Sequence, residues 1–356
     1  MNPKLNKILR ITVAWTLVSI IHYLVGLVSL LDYDYDFTKR DPVVGFYASL
    51  ITGILAGLIG GVMLVFGWEK WLRSQPYGIA LRNIILSYVA IFYLVGIPTS
   101  LFYNLNFSSL KINEPALWLE VLGALTSPSL LVTFVFWLIV IALTMIAFLV
   151  DDKYGPGVFR KFLLGKYFTP SKEERIFMFL DLKSSTTIAE RLGEEQYFSF
   201  LKETFKAITP AIIKHKAEVY QYVGDEIVLS WSVEKGAFQN SCIECFFECK
   251  KILSESSEDF QTHYGETPVF KAGIHYGMVM AGEVGVIKRE IAYSGDVLNT
   301  TSRIQGMCNE LQADVLVSEK LSEKLSLSDS YELQNKGSIS LRGKAEDVTL
   351  LTLRPA

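Results

Sequence analysis

Four apolar runs, all before residue 151, do most to limit what this chain can fold into; they lie at about residues 11–31, 44–68, 84–102 and 128–150. Each is close to the roughly 20 residues a helix needs to cross the hydrocarbon core of a bilayer. No comparable run follows Asp151, so the mean hydropathy of +0.30 averages two unlike halves. Core helices of a soluble protein are the alternative, but four uncharged stretches of this length in one half favour membrane spans. The first run is too long for a signal-peptide core and is not followed by a small-residue cleavage pattern, so it reads as a retained anchor.

Basic residues near the runs set an expected orientation. Lys4, Lys7 and Arg10 precede the first run, Lys70, Arg73 and Arg82 separate the second from the third, and Lys153, Arg160, Lys161 and Lys166 follow the fourth. The opposite segments are poorer: Lys39 and Arg40 sit among Asp32, Asp34, Asp36 and Asp41, and Lys111 is alone. The expectation is a multi-pass protein of the cell (inner) membrane, in contact with lipid, with its N-terminus and everything after the fourth span in the cytoplasm. A net charge of −3 with no further basic block gives no sign of a nucleic-acid partner. Of four cysteines, Cys242, Cys245 and Cys249 are spaced to share one helical face, and without histidines nearby that face reads as buried rather than as a zinc site. Cys308 carries no strong signal.

Three parts follow: a four-span domain at 1–150, a juxtamembrane connector at 151–174 containing Gly155, Pro156, Gly157 and Pro170, and a compact domain at 175–356. The last alternates strand-like and helix-like periodicity, which predicts an α+β fold of ordinary domain size. Strands are expected at 176–182, 218–223, 227–231, 269–276, 315–317, 331–341 and 348–353. Helices are expected at 186–192, 195–214, 238–253 and 297–307. Gly224-Asp225-Glu226 suits a hairpin, and three glycines in 277–287 suggest a second.

Asp181 ends the first of these strands, and Asp225 turns the first hairpin. A carboxylate beside buried strands is costly unless it meets a cation or several donors, so two in such settings suggest a divalent metal site and phosphate chemistry. Each aspartate alone would more simply be a cap or turn residue. A third motif, Tyr293-Ser-Gly-Asp-Val-Leu-Asn-Thr-Thr-Ser-Arg-Ile304, puts Asn299 and Arg303 four apart on one helical face. A planar cation there can stabilise charge growing on a phosphoryl group, and an amide can orient a sugar. Asn299 and Arg303 alone would read as a solvated polar face.

The segments Phe179-Leu-Asp-Leu-Lys-Ser-Ser-Thr186, Val223-Gly-Asp-Glu226, Ala272-Gly-Ile-His-Tyr-Gly277, Ala281-Gly-Glu-Val-Gly285 and Gly295-Asp-Val-Leu-Asn-Thr-Thr-Ser-Arg303 together resemble the class III adenylate and guanylate cyclases, over roughly residues 175–354. The resemblance implies a ferredoxin-like catalytic domain that pairs head to tail as a homodimer. It implies two magnesium or manganese ions per site on Asp181, Asp225 and the carbonyl of Leu182, with Asn299 and Arg303 supplied by the other subunit. The implied reaction is attack of the ribose 3′ hydroxyl on the α-phosphate of a nucleoside triphosphate, releasing pyrophosphate and a 3′,5′-cyclic nucleotide. Arg342, in Leu341-Arg-Gly-Lys344, matches a position where the family places a basic residue on the triphosphate, and a solvated turn accounts for it almost as well. His275 and Glu226 are given no catalytic role, Glu226 being expected in solvent.

The base-selecting positions depart from the family pattern. Where adenylate cyclases carry lysine with aspartate or threonine, and guanylate cyclases glutamate with cysteine, this chain has Gln221 and Ala292. Glutamine can donate to or accept from a purine edge and alanine can do neither, leaving Tyr293 or a backbone group to substitute. Resemblance to bacterial-type membrane cyclases favours ATP, with GTP or a pyrimidine triphosphate as alternatives. A diguanylate cyclase is disfavoured because Val223 and Ile227 break its hairpin pattern. A degenerate, regulatory cyclase-like domain is disfavoured because the metal aspartates, the asparagine and the arginine are all present.

Overall fold

The computed structural model describes residues 3–32, 41–68, 70–71, 75–108, 110–154, 165–287, 290–327, 331–340 and 347–355. Residues 155–164 of the expected connector, and several basic residues used for orientation, including Arg73 and Arg160, therefore lie outside the described residues. The chain divides into Met1–Phe148 and Leu149–Ala356.

The first unit is helical: α1 (Pro3–Asp32), α2 (Pro42–Val62), α3 (Tyr77–Phe107), α4 (Pro115–Thr126) and α5 (Pro128–Tyr154). Within it Lys4–Leu30, Pro42–Trp68, Gly78–Phe107 and Pro128–Phe148 are long and apolar enough to cross a membrane, as the four runs predicted. The 12-residue α4 was not expected and is too short to span. α2 starts where Asp41 accepts hydrogen bonds from the Val43 and Val44 amides ahead of Pro42, a cap that satisfies otherwise orphaned donors. Its small residues let α1 approach closely. A Cβ on Gly53 would lie 2.5 Å from the Thr16 Cα, and one on Gly57 2.4 Å from the Thr12 Cα. Backbone-to-backbone packing of this kind holds helices together where lipid removes the hydrophobic drive.

The second unit contains β1 (Ser171–Leu182), α6 (Ser185–Leu192), α7 (Glu194–Lys214), β2 (Glu218–Val223), β3 (Glu226–Ser232), α8 (Val233–Ala237), α9 (Ser241–Glu255), α10 (Ser257–Tyr264), β4 (Phe270–Val284), β5 (Glu290–Ser294), α11 (Asp296–Gly306), β6 (Val315–Ser318), α12 (Glu319–Ser322), β7 (Tyr331–Ile339) and β8 (Val348–Pro355). Its sheet has the order β2-β3-β1-β4-β6-β8-β7, with β5 paired to β4. Among the described residues, only β4 and β6 run parallel. β1 is central, and Ile176 to Leu180 are buried on both faces, which accounts for their unbroken apolar run. One face packs Ile176, Met178, Leu180 and Trp231 against Phe200, Ile208 and Phe246 of the helices, with Cys242, Cys245 and Cys249 inside as expected. The other face gathers Phe177, Phe179, Val228, Val279 and Val297.

β1 begins five residues before the expected start, because Ser171 to Glu174 alternate in exposure and carry charge, hiding the strand from an apolar count. β4 continues through Gly277 and Gly282 as far as Val284, so the second hairpin turns later than its glycines suggested. Those two glycines answer to packing: a Cβ would meet Val297 at 3.2 Å from Gly277 and Pro170 at 3.1 Å from Gly282. Gly285, with φ 95°, begins the turn. α11 lies hard on β4, since a Cβ on Gly273 would be 2.3 Å from the Gln305 backbone nitrogen.

Candidate active site

Antiparallel pairing sets Asp181 on β1 directly between Glu226 on β3 and Lys271 on β4. The β2–β3 turn, closed by Gly224 at φ 61°, carries Asp225 to the same edge, near the Asp181 carboxylate. Burial first and the Asp225 charge second raise the pKa of Asp181, and Lys271 opposes them. Lys271 Nζ is 3.3 Å from Asp181 Oδ2, and Gln305 Nε2 on α11 donates to that same oxygen at 2.9 Å. Glu226 is half-buried rather than in solvent, and burial, then Asp181, then Asp225 push its carboxyl up to about 7. Tyr197 of α7 is raised first by burial and next by the Asp225 charge.

Carboxylates held this close, each making ionisation of the next more costly, form a donor set suited to a hard divalent cation. Leu182, one residue beyond Asp181, has its side chain in the helix-covered core and so has its backbone carbonyl to offer. Two carboxylates and a carbonyl fit a magnesium- or manganese-type ion. Among the described residues no group of three or more histidine, cysteine or acidic side chains is placed to hold a metal ion.

Asn299 and Arg303 do share a face of α11, the first exposed and the second half-exposed. They do not join the carboxylates of their own chain. At about 100° per residue, Arg303 stands roughly 200° around the helix from Gln305, which faces Asp181. Gln221 is exposed on β2, and Ala292 is half-buried on β5 opposite Gly282. Tyr293 does not point toward a base in place of Ala292: its ring lies under the Arg175 guanidinium. His275 is buried, with Nδ1 2.7 Å from Ser318 Oγ, in keeping with a structural role. Arg342 lies outside the described residues. Lys271 and Gln305 were missed by sequence reasoning. Lys271 was accessible to it, because a cation beginning the strand next to Asp181 is the natural counter-charge.

The adenylate and guanylate cyclase catalytic domain model matches residues 169–353. "Adenylate cyclase 2" of Rhizobium meliloti (strain 1021) is 33% identical over 204 residues, covering 57% of this chain and 56% of that protein. "Adenylate cyclase" of Anabaena cylindrica is 24% identical over 194 residues, 52% of this chain and 37% of that one. The chain thus spans about half or less of the curated relatives it matches. A solved bacterial light-regulated adenylyl cyclase superposes with a TM-score of 0.53 at 19% identity, over 65% of this chain and 67% of that one, a likeness of fold.

Proposed function

The chain belongs to the adenylate and guanylate cyclase catalytic domain family, and on that premise we propose that it is a membrane-anchored nucleotide cyclase converting ATP to 3′,5′-cyclic AMP and pyrophosphate at sites shared by two copies of the chain. The observation that carries this reading is the division on α11: Gln305 braces Asp181 of its own chain while Arg303 faces away. Head-to-tail pairing puts Asn299 and Arg303 of one copy against Asp181, Leu182 and Asp225 of the other. When bound, two magnesium or manganese ions supply acidification of the ribose 3′ hydroxyl and neutralisation of phosphate charge. Asp181, Asp225 and the Leu182 carbonyl hold them. Asn299 orients the ribose, and Arg303 faces the charge that grows as the 3′ oxygen bonds to the α-phosphorus and the bond to the β-phosphate breaks.

In this reading 1–150 anchors the chain in the cell membrane, 151–174 connects, and 175–356 catalyses on the cytoplasmic side, the side favoured by the basic residues flanking the spans. GTP is the second reading, because the Gln221 amide can face either purine and Ala292 selects neither. The test is incubation of the full-length protein in nanodiscs with each nucleoside triphosphate and magnesium or manganese, with products identified by mass spectrometry. Cyclic AMP as the main product is expected; folded protein yielding no cyclic nucleotide from any of them refutes the proposal.

A further inference from the structure

β2 and β5 are not neighbours: β3, β1 and β4 lie between them in the sheet. At a strand spacing of about 4.8 Å, a flat sheet would hold them roughly 19 Å apart. Yet the rings of Tyr220 on β2 and Tyr293 on β5 are 5.1 Å apart, and the Tyr293 amide donates to the Tyr220 hydroxyl at 3.4 Å. A local irregularity helps close the gap. Pairing of β2 with β3 shifts between Val219 and Gln221, which leaves Tyr220 as the extra residue of a bulge. Bulges bend a strand and re-aim the side chain they carry. Both tyrosines then lean over β1, where the Phe177 ring lies 5.5 Å from Tyr293 and 6.4 Å from Tyr220.

Arg175 of β1 completes the clamp. Only 3% exposed, its guanidinium sits 4.7 Å from the centre of the Tyr293 ring. Nη2 donates to Glu218 Oε2 at 2.6 Å and Ser230 Oγ at 2.9 Å, and Nη1 donates to Glu173 Oε2 at 3.2 Å. A buried guanidinium is costly, and well-packed apolar side chains would often stabilise a fold as well or better, so such a network is weak as a stability device. What it fixes are the immediate neighbours of Gln221 and Ala292.

We infer that Tyr220 and Tyr293, locked by Arg175, are specificity-positioning residues: they set the separation of Gln221 from Ala292, and with it which purine base is admitted between them. The inference rests on the cyclase reading above. With Ala292 offering no hydrogen bond and Tyr293 held in the clamp, discrimination falls on the distance from the Gln221 amide to the facing wall. Small displacements of β2 against β5 then change which edge of the base that amide meets.

The test compares full-length wild type, Tyr220→Phe, Tyr293→Phe and an Ile208→Val control in nanodiscs. For each, kcat/KM is measured with ATP and with GTP, and Kd with the fluorescent analogues MANT-ATP and MANT-GTP. Tyr220→Phe removes the oxygen that accepts from the Tyr293 amide, and Tyr293→Phe removes the hydroxyl of the ring beneath Arg175, while both keep their rings. At least one should change the ATP-to-GTP ratio by about tenfold, whereas Ile208→Val, in the helix-covered core, lowers both substrates alike. Ratios within about twofold of wild type for both folded tyrosine variants overturn the inference. Should the wild type bind both analogues but cyclise neither triphosphate, the cyclase reading fails and the Kd ratio alone decides the inference. Binding of neither analogue overturns both.

Discussion

Replacing Gly273 with alanine should do more damage than its single methyl group implies. The added Cβ would lie 2.3 Å from the Gln305 nitrogen and 2.7 Å from its Cα. Both are backbone atoms, so no side chain can swing aside, and α11 must retreat from β4 by about 1 Å to restore ordinary contact. Overpacking of this kind costs about 1–3 kcal/mol. The helix that moves carries Asn299, Arg303 and Gln305, and a displacement of about 1 Å at reacting groups costs on the order of 10²-fold in rate. Gly306, on the same helix with nothing within 4 Å of its would-be Cβ, is the matched control. Gly306→Ala should leave the rate unchanged and stability equal or slightly higher. The assay is the initial rate of cyclic nucleotide formation per folded molecule, with the thermal midpoint recorded alongside. A Gly273→Ala protein with wild-type rate, or a Gly306→Ala protein equally impaired, would refute this account of how α11 is seated.

Three further outcomes follow from individual contacts. Lys271→Met removes the cation 3.3 Å from Asp181, so the protein without divalent ions should lose about 1–3 kcal/mol; added manganese should then raise its thermal midpoint more than it raises that of wild type, and an equal rise would count against a cation site at Asp181. Burial pushes the Asp314 carboxyl up, but Lys183 and Lys250 hold it below its ordinary value on balance. A depressed carboxylate stabilises above its unfolded pKa of about 3.9 and loses that contribution as pH falls through the folded value. The stability gap between wild type and Asp314→Asn, modest at a site this exposed, should therefore be present at pH 7 and vanish in acid, and a gap that widens in acid would be wrong for this pairing. All four cysteines are buried, so iodoacetamide at pH 8 should leave Cys242, Cys245, Cys249 and Cys308 unmodified in the native protein and label all four after unfolding, as read by mass spectrometry; rapid native labelling of Cys242, Cys245 or Cys249 would show that α9 is not packed as described.

Local pattern carried much of this structure. Four uncharged apolar runs gave the helices long enough to span, because a bilayer sets a minimum length that few soluble helices meet. The run from Ile176 to Leu180 gave the central strand, and the spacing of Cys242, Cys245 and Cys249 gave the buried face of α9. What stayed hidden depends on distant partners. Gly277 and Gly282 look like turn residues until Val297 and Pro170 are seen against them. α10 and α4 have too few residues for their periodicity to stand out. Glu226 looked solvent-facing because hairpins normally are, and only the neighbouring carboxylates and its burial change that. Gln305 meets Asp181 across 124 residues of sequence, a contact that only the packing of α11 on β4 creates. The motif residues were visible, whereas Gln305, which holds Asp181 from a distant helix, was not.

The central claim is that the catalytic groups of one site come from two chains. Asp225→Ala and Arg303→Ala should each be inactive as homodimers. Co-expressed in equal amounts in one membrane, half of the dimers are mixed, and each mixed dimer keeps one intact site of two, so activity should return to about a quarter of wild type. Activity that stays at the level of the single variants, with mixed dimers shown to form by differential tagging, would contradict the shared site.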